Sequence, residues 1–421
     1  MKGLMPLAGK LVPAPGPDVL DAQELEVLAA IEEVLERAIR PQAMSIDATG
    51  RYPLDAIAAL KPTGLFKAAV PKELGGPGFG HRFSLEAQLR IARVDSSVAQ
   101  LCKVHDELLR EIFVYCPEFQ RARLAWLVLE EGAVVGLAVA EAGRTAESPL
   151  RTLTTPDGAG GFVCTGEKIY TTGAAGADHI ATWGINPQLA VDGNPVAGMQ
   201  LLLIPKGTPG VTIHRDWDVL GQRATDSGSI SFDNVRCPAE WVASVPGKGP
   251  LVHSSLRYQA GFAAILTGIG LGALEAALEF VRTRSRPWPA AGVTQASDDR
   301  LNQRLAGELG ADLAAAYATV MATAPLLDAF ERATGEGQQA DRGALALPIS
   351  AAKSVAHRAS LRACAEIHGL MGTRSVSRQY DFDRWWRNAR TLSLHDPVEY
   401  KHLELGRHLL TGWDPEPGIY Q

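Results

Sequence analysis

Apolar residues recur at helical spacing in the first part of the chain. The recurring positions are Leu25, Leu28, Ile31, Leu35 and Ile39. Such spacing places them on one face of a helix, and Asp21 is well placed to cap its first turn. A loop rich in glycine and proline follows at residues 70–80, after which helical spacing returns over residues 84–116. The pattern therefore predicts a mainly helical region over residues 22–135.

The middle of the chain is built from short β-rich segments. Residues 229–233 (SISFD) alternate polar and apolar positions, as a half-buried strand does. Asp157–Gly158 and residues 208–210 are predicted turns. The predicted strands are residues 137–140, 161–172, 180–185, 199–204 and 229–235. Their order favours an antiparallel sheet or barrel.

Long alanine-rich helices are predicted after residue 250, at residues 256–284, 301–334 and 349–369. Several long helices without intervening strands indicate a helical bundle. Gly268, Gly270 and Gly272 lie inside the first of them. Because they follow no strand and do not form a GxGxxG motif, close helix packing is the better interpretation.

The fold class that follows is α+β, mainly α, with a helical, a β and a second helical region. We expect a flexible segment over residues 1–20, a helical domain over 21–136, a β domain over 137–245 and a helical bundle over 246–421.

Composition excludes several classes of protein. The net charge of −6 lacks the basic excess that nucleic-acid binding requires. The five cysteines are scattered without CxxC spacing, so neither a disulfide framework nor a metal site is expected. Residues 258–274 are uncharged but rich in glycine, which favours a buried core helix over a membrane span. No signal peptide is apparent, and we expect a cytoplasmic protein.

Four segments, in order along the chain, resemble the acyl-CoA dehydrogenase superfamily of flavoproteins. GLFKAAVPKELGG (residues 64–76) is similar to the family's "GLF…VPEEYGG" and GEKIYTT (166–172) to "GEKxWIT". LGQRATDSG (220–228) with FDNVRCP (232–238) is similar to "LGMRGSDT…FDNVRVP", and the C-terminal segment around residue 395 completes the set. The resemblance covers nearly the whole chain and implies the family's fold, with a four-helix bundle at the C-terminus.

The resemblance also implies positions for the flavin. Tyr170 would pack near the isoalloxazine ring and Thr172 would hydrogen-bond around N5, where the hydroxyl fixes the bonding of the reactive atoms. Without the family context, both residues are ordinary strand residues of high β-propensity.

The expected catalytic carboxylate is missing. In the dehydrogenases a glutamate removes the substrate α-proton, and His395 stands at the matching position, with Glu399 matching a second acid. Other members place the base just before an arginine of the first bundle helix. That arginine resembles Arg257 here, and Leu256 precedes it.

RNARTLSLHDPV (residues 387–398) resembles another branch of the superfamily, the flavin-dependent monooxygenases that act on dibenzothiophene and alkyl sulfones. His105 matches a histidine of the N-terminal domain in that branch. Such enzymes bind reduced flavin and form a C4a-hydroperoxyflavin with O₂, and an imidazole there would handle the peroxide or its protons. Alternatively, His395 is a helix-start histidine bonded to backbone, and His105 is a half-exposed histidine in a charged run.

FMN is favoured over FAD because the segment that approaches the adenosine diphosphate in FAD-binding members, "QxxGGxG", is EIHGLMG (366–372) here. A leucine side chain obstructs close backbone approach and a glutamate repels pyrophosphate. Arg284 and Gly369 remain, so we expect Arg284 to hold a phosphate and Gly369 to lie at the cofactor. The family's "TEPxxGSD" loop has become AEAGRTAE (140–147), which argues against a standard CoA site.

The main hypothesis is therefore a two-component monooxygenase that uses FMNH₂ from a separate reductase. It would oxygenate a small apolar substrate that is aromatic or contains sulfur or nitrogen. The alternatives are an FAD-dependent acyl-CoA dehydrogenase with an unusual base and a non-catalytic scaffold. We also expect a homotetramer or homodimer.

Overall fold

Helices occupy both ends of the chain and strands occupy its middle. The computed structural model describes residues 11–12, 14–143, 150–189, 197–245, 251–418 and 421. Much of the expected flexible segment 1–20 and residues 144–147 of the substituted loop lie outside these ranges. The types of element change near the predicted domain boundaries, and the boundaries themselves stay a prediction.

The elements have the following bounds. The first helical region contains α1 (Ala22–Val34), α2 (Ala43–Thr49), α3 (Leu54–Leu60), α4 (His81–Ala92), α5 (Ser96–Tyr115) and α6 (Glu118–Leu129). The strands are β1 (Val135–Ala138), β2 (Leu153–Pro156), β3 (Phe162–Lys168), β4 (His179–Ile185), β5 (Met199–Pro205), β6 (Val211–Ile213) and β7 (Ile230–Cys237). The second helical region contains α7 (Ser254–Thr283), α8 (Arg300–Met321), α9 (Thr323–Gly335), α10 (Arg342–Met371), α11 (Asp383–Ser393) and α12 (Val398–Thr411).

Aspartate caps begin two of the helices that matter for the site. The Asp21 carboxylate accepts from the Glu24 backbone N–H at 2.8 Å, and Glu24 accepts from the Asp21 N–H in return. This capping box confirms the predicted start of α1. The Asp95 carboxylate accepts from the N–H groups of Ser97 and Val98. It thereby divides the single helix predicted over residues 84–116 into α4 and α5.

The sheet is mixed rather than wholly antiparallel. Its strand order is β1-β4-β2-β3-β7-β6, and β5 pairs with the other edge of β4. Four pairings are antiparallel: β2 with β3, β3 with β7, β4 with β5 and β6 with β7. The exceptions are β1 with β4, which are parallel over four residue pairs, and a single parallel pair between β2 and β4. The expectation of an antiparallel sheet is therefore wrong for β1.

The sequence pattern did not predict two of the strands, β2 and β6. β2 has only four residues (LTTP) and β6 only three (VTI), so neither is long enough to show a clear alternation of polar and apolar positions. In the other direction, the strand predicted over residues 161–172 ends at Lys168. Tyr170 has a φ of +54°, which no β-strand accommodates. The predicted turns at residues 157–158 and 208–210 do connect β2 to β3 and β5 to β6.

The C-terminal helices form the expected bundle around α7. α10 packs against α7, α8 and α12, while α11 packs against both α7 and α10. The N-terminal helix α4 also lies against α7, so one hydrophobic core is shared by the two helical regions. α7 is therefore the central element of the molecule.

Three glycines let other helices approach α7 closely. A Cβ at Gly268 would lie 2.4 Å from the Leu89 carbonyl oxygen of α4, and one at Gly272 would lie 2.4 Å from that of Arg93. A Cβ at Gly270 would meet the Leu313 side chain of α8 at 2.5 Å. These distances confirm close helix packing as the reason for the three glycines.

Among the described residues, two stretches are long and apolar enough to cross a membrane by length and composition. They are Ser254–Thr283 and Arg300–Gly335, and 83% and 50% of their apolar windows are buried within the fold. The burial of α7 confirms that its uncharged stretch is a core helix.

Replacing Gly268 by alanine should destabilise the fold. The added methyl group would press on backbone of α4, which cannot rotate away, and overpacking of this kind costs about 2 kcal/mol. The free energy of unfolding from urea titration measures the effect.

Gly307→Ala is the matched control, because a Cβ at this exposed position of α8 meets nothing within 4 Å. It should leave the free energy of unfolding unchanged or raise it by up to about 1 kcal/mol through helix propensity. Equal stabilities for the two variants would contradict the close packing described for α7.

Candidate active site

Segments that the sequence singles out pack against the first half of α5. Near its start, Ser96 Oγ accepts a hydrogen bond of 2.9 Å from Gln222 Nε2. One turn later, Leu101 lies beside Gly173, where a Cβ would be 3.5 Å from Leu101 Cδ2. Lys103 then reaches toward α7. The loop after β3, the loop before β7 and α7 are thus gathered around one stretch of helix.

Tyr170 lies in the loop after β3 in a strained and exposed conformation. Its side chain is 63% exposed, and its ring meets that of Trp217 edge-on at a centroid distance of 5.9 Å. A positive φ is unfavourable for a bulky residue and concentrates at functional sites. The tyrosine presents an aromatic surface that a flat ligand can cover.

Thr172 begins a chain of hydroxyl groups. Thr172 Oγ1 lies 2.9 Å from Ser227 Oγ, which lies 2.7 Å from Thr225 Oγ1. Thr225 Oγ1 lies 2.8 Å from the Gln222 carbonyl oxygen. A hydroxyl carries one proton and a carbonyl oxygen only accepts, so all three contacts are satisfied together in one direction alone. Thr172 donates to Ser227, Ser227 to Thr225 and Thr225 to the carbonyl, which leaves the Thr172 oxygen as an acceptor for a ligand.

The loop at residues 220–228 is fixed against α11. The Gln222 N–H donates to Asn388 Oδ1 at 2.6 Å, and a Cβ at Gly221 would lie 2.1 Å from the Arg387 carbonyl oxygen. Gln222 and Asp226 both have left-handed φ values, 55° and 47°. Two of the segments that carry the family resemblance are therefore in direct contact, which the sequence separation of more than 150 residues conceals.

His395 follows α11 and packs against α7. Its ring lies 4.3 Å from the Phe262 ring centroid, and Nδ1 lies 3.3 Å from Asp396 Oδ1. Lys353 Nζ of α10 donates to the same carboxylate oxygen at 3.1 Å and to Gln259 Oε1 at 2.7 Å. An ionised carboxylate only accepts hydrogen bonds, so the proton of the neutral imidazole lies on Nδ1. Nε2 is then the ring nitrogen that can accept a proton.

Desolvation, reinforced by two neighbouring cations, favours the neutral form of His395. Burial by itself raises the pKa of the Asp396 carboxyl, but the hydrogen bond from His395 and the charge of Lys353 outweigh it and hold that pKa well below its ordinary value. Desolvation lowers the pKa of His395 below 6.5, Asp396 opposes this, and Lys353 and Lys103 reinforce it. The His395 side chain nevertheless keeps 43% of its surface open, so a ligand can reach it.

His105 lies in a different environment from the half-exposed one that the sequence suggests. It is buried rather than half-exposed, its Nε2 lies 2.8 Å from the Phe66 carbonyl oxygen, and its Nδ1 accepts from the Val135 N–H at 3.0 Å. Burial also lowers its pKa. Both ring nitrogens are occupied by backbone, so this arrangement does not support the predicted proton handling. The ring instead joins α5 to the start of the sheet.

Arg284 and Gly369 lie near the ends of α7 and α10, which meet far from His395. Ser285 Oγ donates to the Met371 carbonyl oxygen, which joins the ends of α7 and α10. Arg284 ends α7, and its guanidinium lies 5.5 Å from the Tyr380 ring centroid. At 1.5 Å per residue, the 22 residues from Phe262 to Arg284 span about 33 Å. The predicted cofactor residues therefore fall into two separate groups within one chain.

The alternative position for a carboxylate base is closed. Leu256 is fully buried, and the neighbouring Arg257 guanidinium contacts Glu107 at 2.8 Å and also binds Glu111 and Glu331. These carboxylates are committed to a buried ionic cluster, so none is placed as an open base. Within the described ranges, no three His, Cys, Asp or Glu side chains are grouped to hold a metal ion.

Comparison with known proteins agrees with this geometry. Family models for the N-terminal, middle and C-terminal domains of acyl-CoA dehydrogenases match residues 21–129, 136–235 and 260–400. The chain belongs to the acyl-CoA dehydrogenase family. Its membership confirms the resemblance drawn from the four sequence segments.

Two curated relatives and one solved structure are especially similar. A dibenzothiophene monooxygenase of Mycolicibacterium goodii is 35% identical over 86% of this chain and 88% of its own. A probable FMNH₂-dependent monooxygenase, SfnC of Pseudomonas putida, is 30% identical over 93% of this chain and 96% of its own. The crystal structure of FMN-bound TdsC from Paenibacillus sp. A11-2 superposes with a TM-score of 0.85 at 30% identity, covering 94% of this chain and all of TdsC.

Several residues of the site could not be assigned from sequence. Asp396 and Lys353 are 43 positions apart and meet through the packing of α10 against the end of α11. Ser227 lies within a segment of the resemblance, but its link to Thr172 depends on how two loops meet. Lys103 left no signal either, because the sequence places it among other charged residues of α5 and only the structure shows that it is buried.

His105→Ala should destabilise the protein. The substitution leaves the Phe66 carbonyl and the Val135 N–H buried without partners, at a cost of about 2 kcal/mol or more in the free energy of unfolding. Urea titration of the purified variant measures this.

His395→Ala is the comparison variant, since 43% of its side-chain surface is exposed. It should lose clearly less stability than His105→Ala. If His105→Ala proved as stable as the unmodified protein, the structural role given to His105 would be wrong.

Proposed function

We propose that this protein is an FMNH₂-dependent monooxygenase with the acyl-CoA dehydrogenase fold. The observation that carries the proposal is a neutral imidazole, His395, at the position of the dehydrogenase carboxylate. The relatives named above, two of them monooxygenases and one a structure with FMN, support it. The substrate is a small molecule with an apolar body that is aromatic or contains sulfur or nitrogen.

The residues present fit a reduced flavin. Tyr170 offers an exposed ring, and the buried Gln222 Oε1 is an acceptor atom without a hydrogen-bond partner in the described structure. The direction of the hydroxyl chain makes the Thr172 oxygen an acceptor, which suits the N5–H of reduced flavin better than the unprotonated N5 of the oxidised form. When bound, FMNH₂ supplies the two electrons with which O₂ yields one oxygen atom for the substrate and one molecule of water.

The protein contributes proton control and orientation. His395 accepts and returns a proton at Nε2, and Asp396 fixes the ring by accepting from Nδ1. Lys353 keeps the carboxylate ionised, so Asp396 and Lys353 act as positioning residues for the imidazole. Phe262 forms an apolar wall against one face of the ring.

FMN is proposed in preference to FAD. Leu370 is buried in the bundle and Glu366 is paired with Arg362 at 3.0 Å, so this end of α10 is not shaped for a pyrophosphate. Because FMN keeps its phosphate within one ribityl chain of the ring, Arg284 and Gly369 would contact only a cofactor bound by another copy of the chain.

Assembly and partners are also proposed. Leu403, Leu409 and Leu410 of α12 are 63%, 82% and 87% exposed, an apolar surface that favours a homodimer or homotetramer.

The need for FMNH₂ implies a separate flavin reductase. The described cysteines are buried and free, as a reducing cytoplasm allows.

The activity is tested by supplying the protein with FMN, NADH, a flavin reductase and ¹⁸O₂. Dibenzothiophene and indole are the first substrates to try, and mass spectrometry detects one ¹⁸O per product. His395→Ala should lower product formation by about 100-fold, the usual contribution of a positioned acid–base group, while hydrogen peroxide accumulates.

His402→Ala, an exposed histidine of α12, is the control and should retain full product formation. If His395→Ala formed product at an unchanged rate, the proposed role of the imidazole would be wrong. Bleaching of bound FAD by an acyl-CoA thioester would contradict the monooxygenase assignment itself.

The hydroxyl chain predicts a preference for reduced over oxidised FMN. Ser227→Ala interrupts the chain and allows Thr172 to donate, so the ratio of the two dissociation constants should shift toward oxidised FMN by roughly fivefold, the value of one hydrogen bond. Anaerobic fluorescence titration with FMN and with chemically reduced FMN gives both constants.

Ser229→Ala removes a hydroxyl from the same loop that bonds Asp216 instead, and it should leave the ratio unchanged. If both variants behave alike, the direction of the hydroxyl chain does not set the preference.

A further inference from the structure

Lys103 is a buried lysine without a hydrogen-bond partner. It projects from α5 toward α7 with no surface exposed, and its Nζ has no partner among the described residues. Removing an ammonium from water is strongly unfavourable unless an opposite charge or hydrogen-bond acceptors replace the lost hydration. An unpaired cation in the interior therefore needs an explanation.

The protein compensates only part of this cost. Lys103 Nζ lies 4.2 Å from the ring centroid of Tyr258 and 4.1 Å from that of Phe262, so two aromatic faces attract it. Cation–π contacts of this kind stabilise a desolvated ammonium but do not replace its lost hydrogen bonds. Desolvation still lowers the pKa of Lys103 to about 8.

The charged groups around Lys103 are engaged elsewhere. Glu107 binds Arg257 at 2.8 Å, and Asp106 binds Arg110 at 3.1 Å. Lys353, the nearby cation of α10, binds Asp396. Glu107 and Asp106 favour the charged form of Lys103 while Lys353 and Arg257 disfavour it, and neither carboxylate forms an ion pair with the lysine.

A second unpartnered polar side chain converges on the same place. Both the oxygen and the nitrogen of the Gln88 amide, on α4, are buried without a hydrogen-bond partner in the described structure. Gly261 of α7 lets both side chains pack against the same point of the helix, since a Cβ there would lie 2.6 Å from Lys103 Cε and 2.8 Å from Gln88 Oε1. Buried polar atoms are nearly always bonded, so an ammonium and an amide left open side by side point to a ligand.

This place adjoins the candidate active site. Phe262 follows Gly261 in α7, and its ring contacts both the Lys103 ammonium and the His395 imidazole. A single aromatic ring therefore separates the unpaired cation from the residue proposed to control protons. A ligand held by Lys103 would have its apolar part against Phe262 and Tyr258.

We propose that Lys103 and Gln88 bind an oxyanion of the substrate, so that this protein oxygenates small molecules that carry a singly charged carboxylate or sulfinate on an apolar body. Lys103 supplies the charge and Gln88 a second donor, and both bonds are charge-assisted. Lys103 is a specificity-determining residue in this arrangement. The inference rests on the proposed function for the reaction but not for the binding, which is measured separately.

The test compares two probes of similar size and different charge, benzenesulfinate and the neutral methyl phenyl sulfone. Calorimetric titration of the full chain, with and without FMN, should show at least about 10-fold tighter binding of the anion, as a hydrogen bond to a charged group gives. Lys103→Met keeps the length and apolar stem of the side chain, and it should bring the two affinities within about threefold. Lys206→Met removes an exposed lysine and should leave the preference intact.

The pH dependence provides a test that needs no substitution. Benzenesulfinate stays ionised throughout, while Lys103 loses its proton above its pKa of about 8. The affinity of the protein for benzenesulfinate should therefore fall between pH 7 and pH 9.5, whereas its affinity for the sulfone should stay constant. A bound anion raises the lysine pKa, so the fall begins near the pKa of the free protein and levels off only above that of the complex.

Equal affinity for the two probes, or an unchanged preference in Lys103→Met, would show that Lys103 only fills space between α5 and α7. Preference for the anion without any ¹⁸O product would leave the site standing and overturn the monooxygenase assignment. Oxygenation of neutral substrates at the same rate as anionic ones would support the monooxygenase assignment and overturn the role of Lys103 in substrate specificity.

Discussion

The close packing of helices on α7 is the constraint on which the rest of the structure depends. Gly268 and Gly272 allow the backbone of α4 and of the residues after it to touch α7, and a side chain at either position would separate them. Trp385 of α11 also packs at Gly272. Since His395 follows α11 directly, the same packing that holds the two helical regions together places its imidazole against Phe262. Stability and the site thus share one interface.

Electrostatics then decides what that imidazole does. A carboxylate in this place, surrounded by Lys353 and Lys103, would be strongly stabilised as an anion and would be a weak base. An imidazole in the same surroundings is kept neutral, because neighbouring cations and desolvation both disfavour its charged form. Asp396 fixes the ring without being able to take its proton, since its own pKa lies far lower. The exchange of glutamate for histidine is therefore matched by the charges around it.

Sequence patterns predicted the elements better than their contacts. The helical spacing, the Asp21 cap and the role of the α7 glycines depend on residues close together in the chain, so the sequence predicts them correctly. Parallel pairing of β1 with β4 depends on strands more than forty residues apart and left no local signal. His105 shows the same limit, since its partners, Phe66 and Val135, are 39 and 30 residues away. Its identity as a histidine suggested chemistry, and only the three-dimensional structure shows that backbone groups use both nitrogens.

The separation of Arg284 from His395 follows from the length of α7. His395 contacts Phe262 near the start of that helix and Arg284 caps its end, so the helical rise puts about 33 Å between Phe262 and Arg284. FMN ends at a phosphate that lies one ribityl chain from its ring. An FAD extends further through its adenosine diphosphate, which is the part that the family binds with the segment corresponding to residues 366–372. On the proposed function that part is absent, so the position of Leu370 no longer needs a glycine, and a buried leucine that stabilises the bundle can stand there.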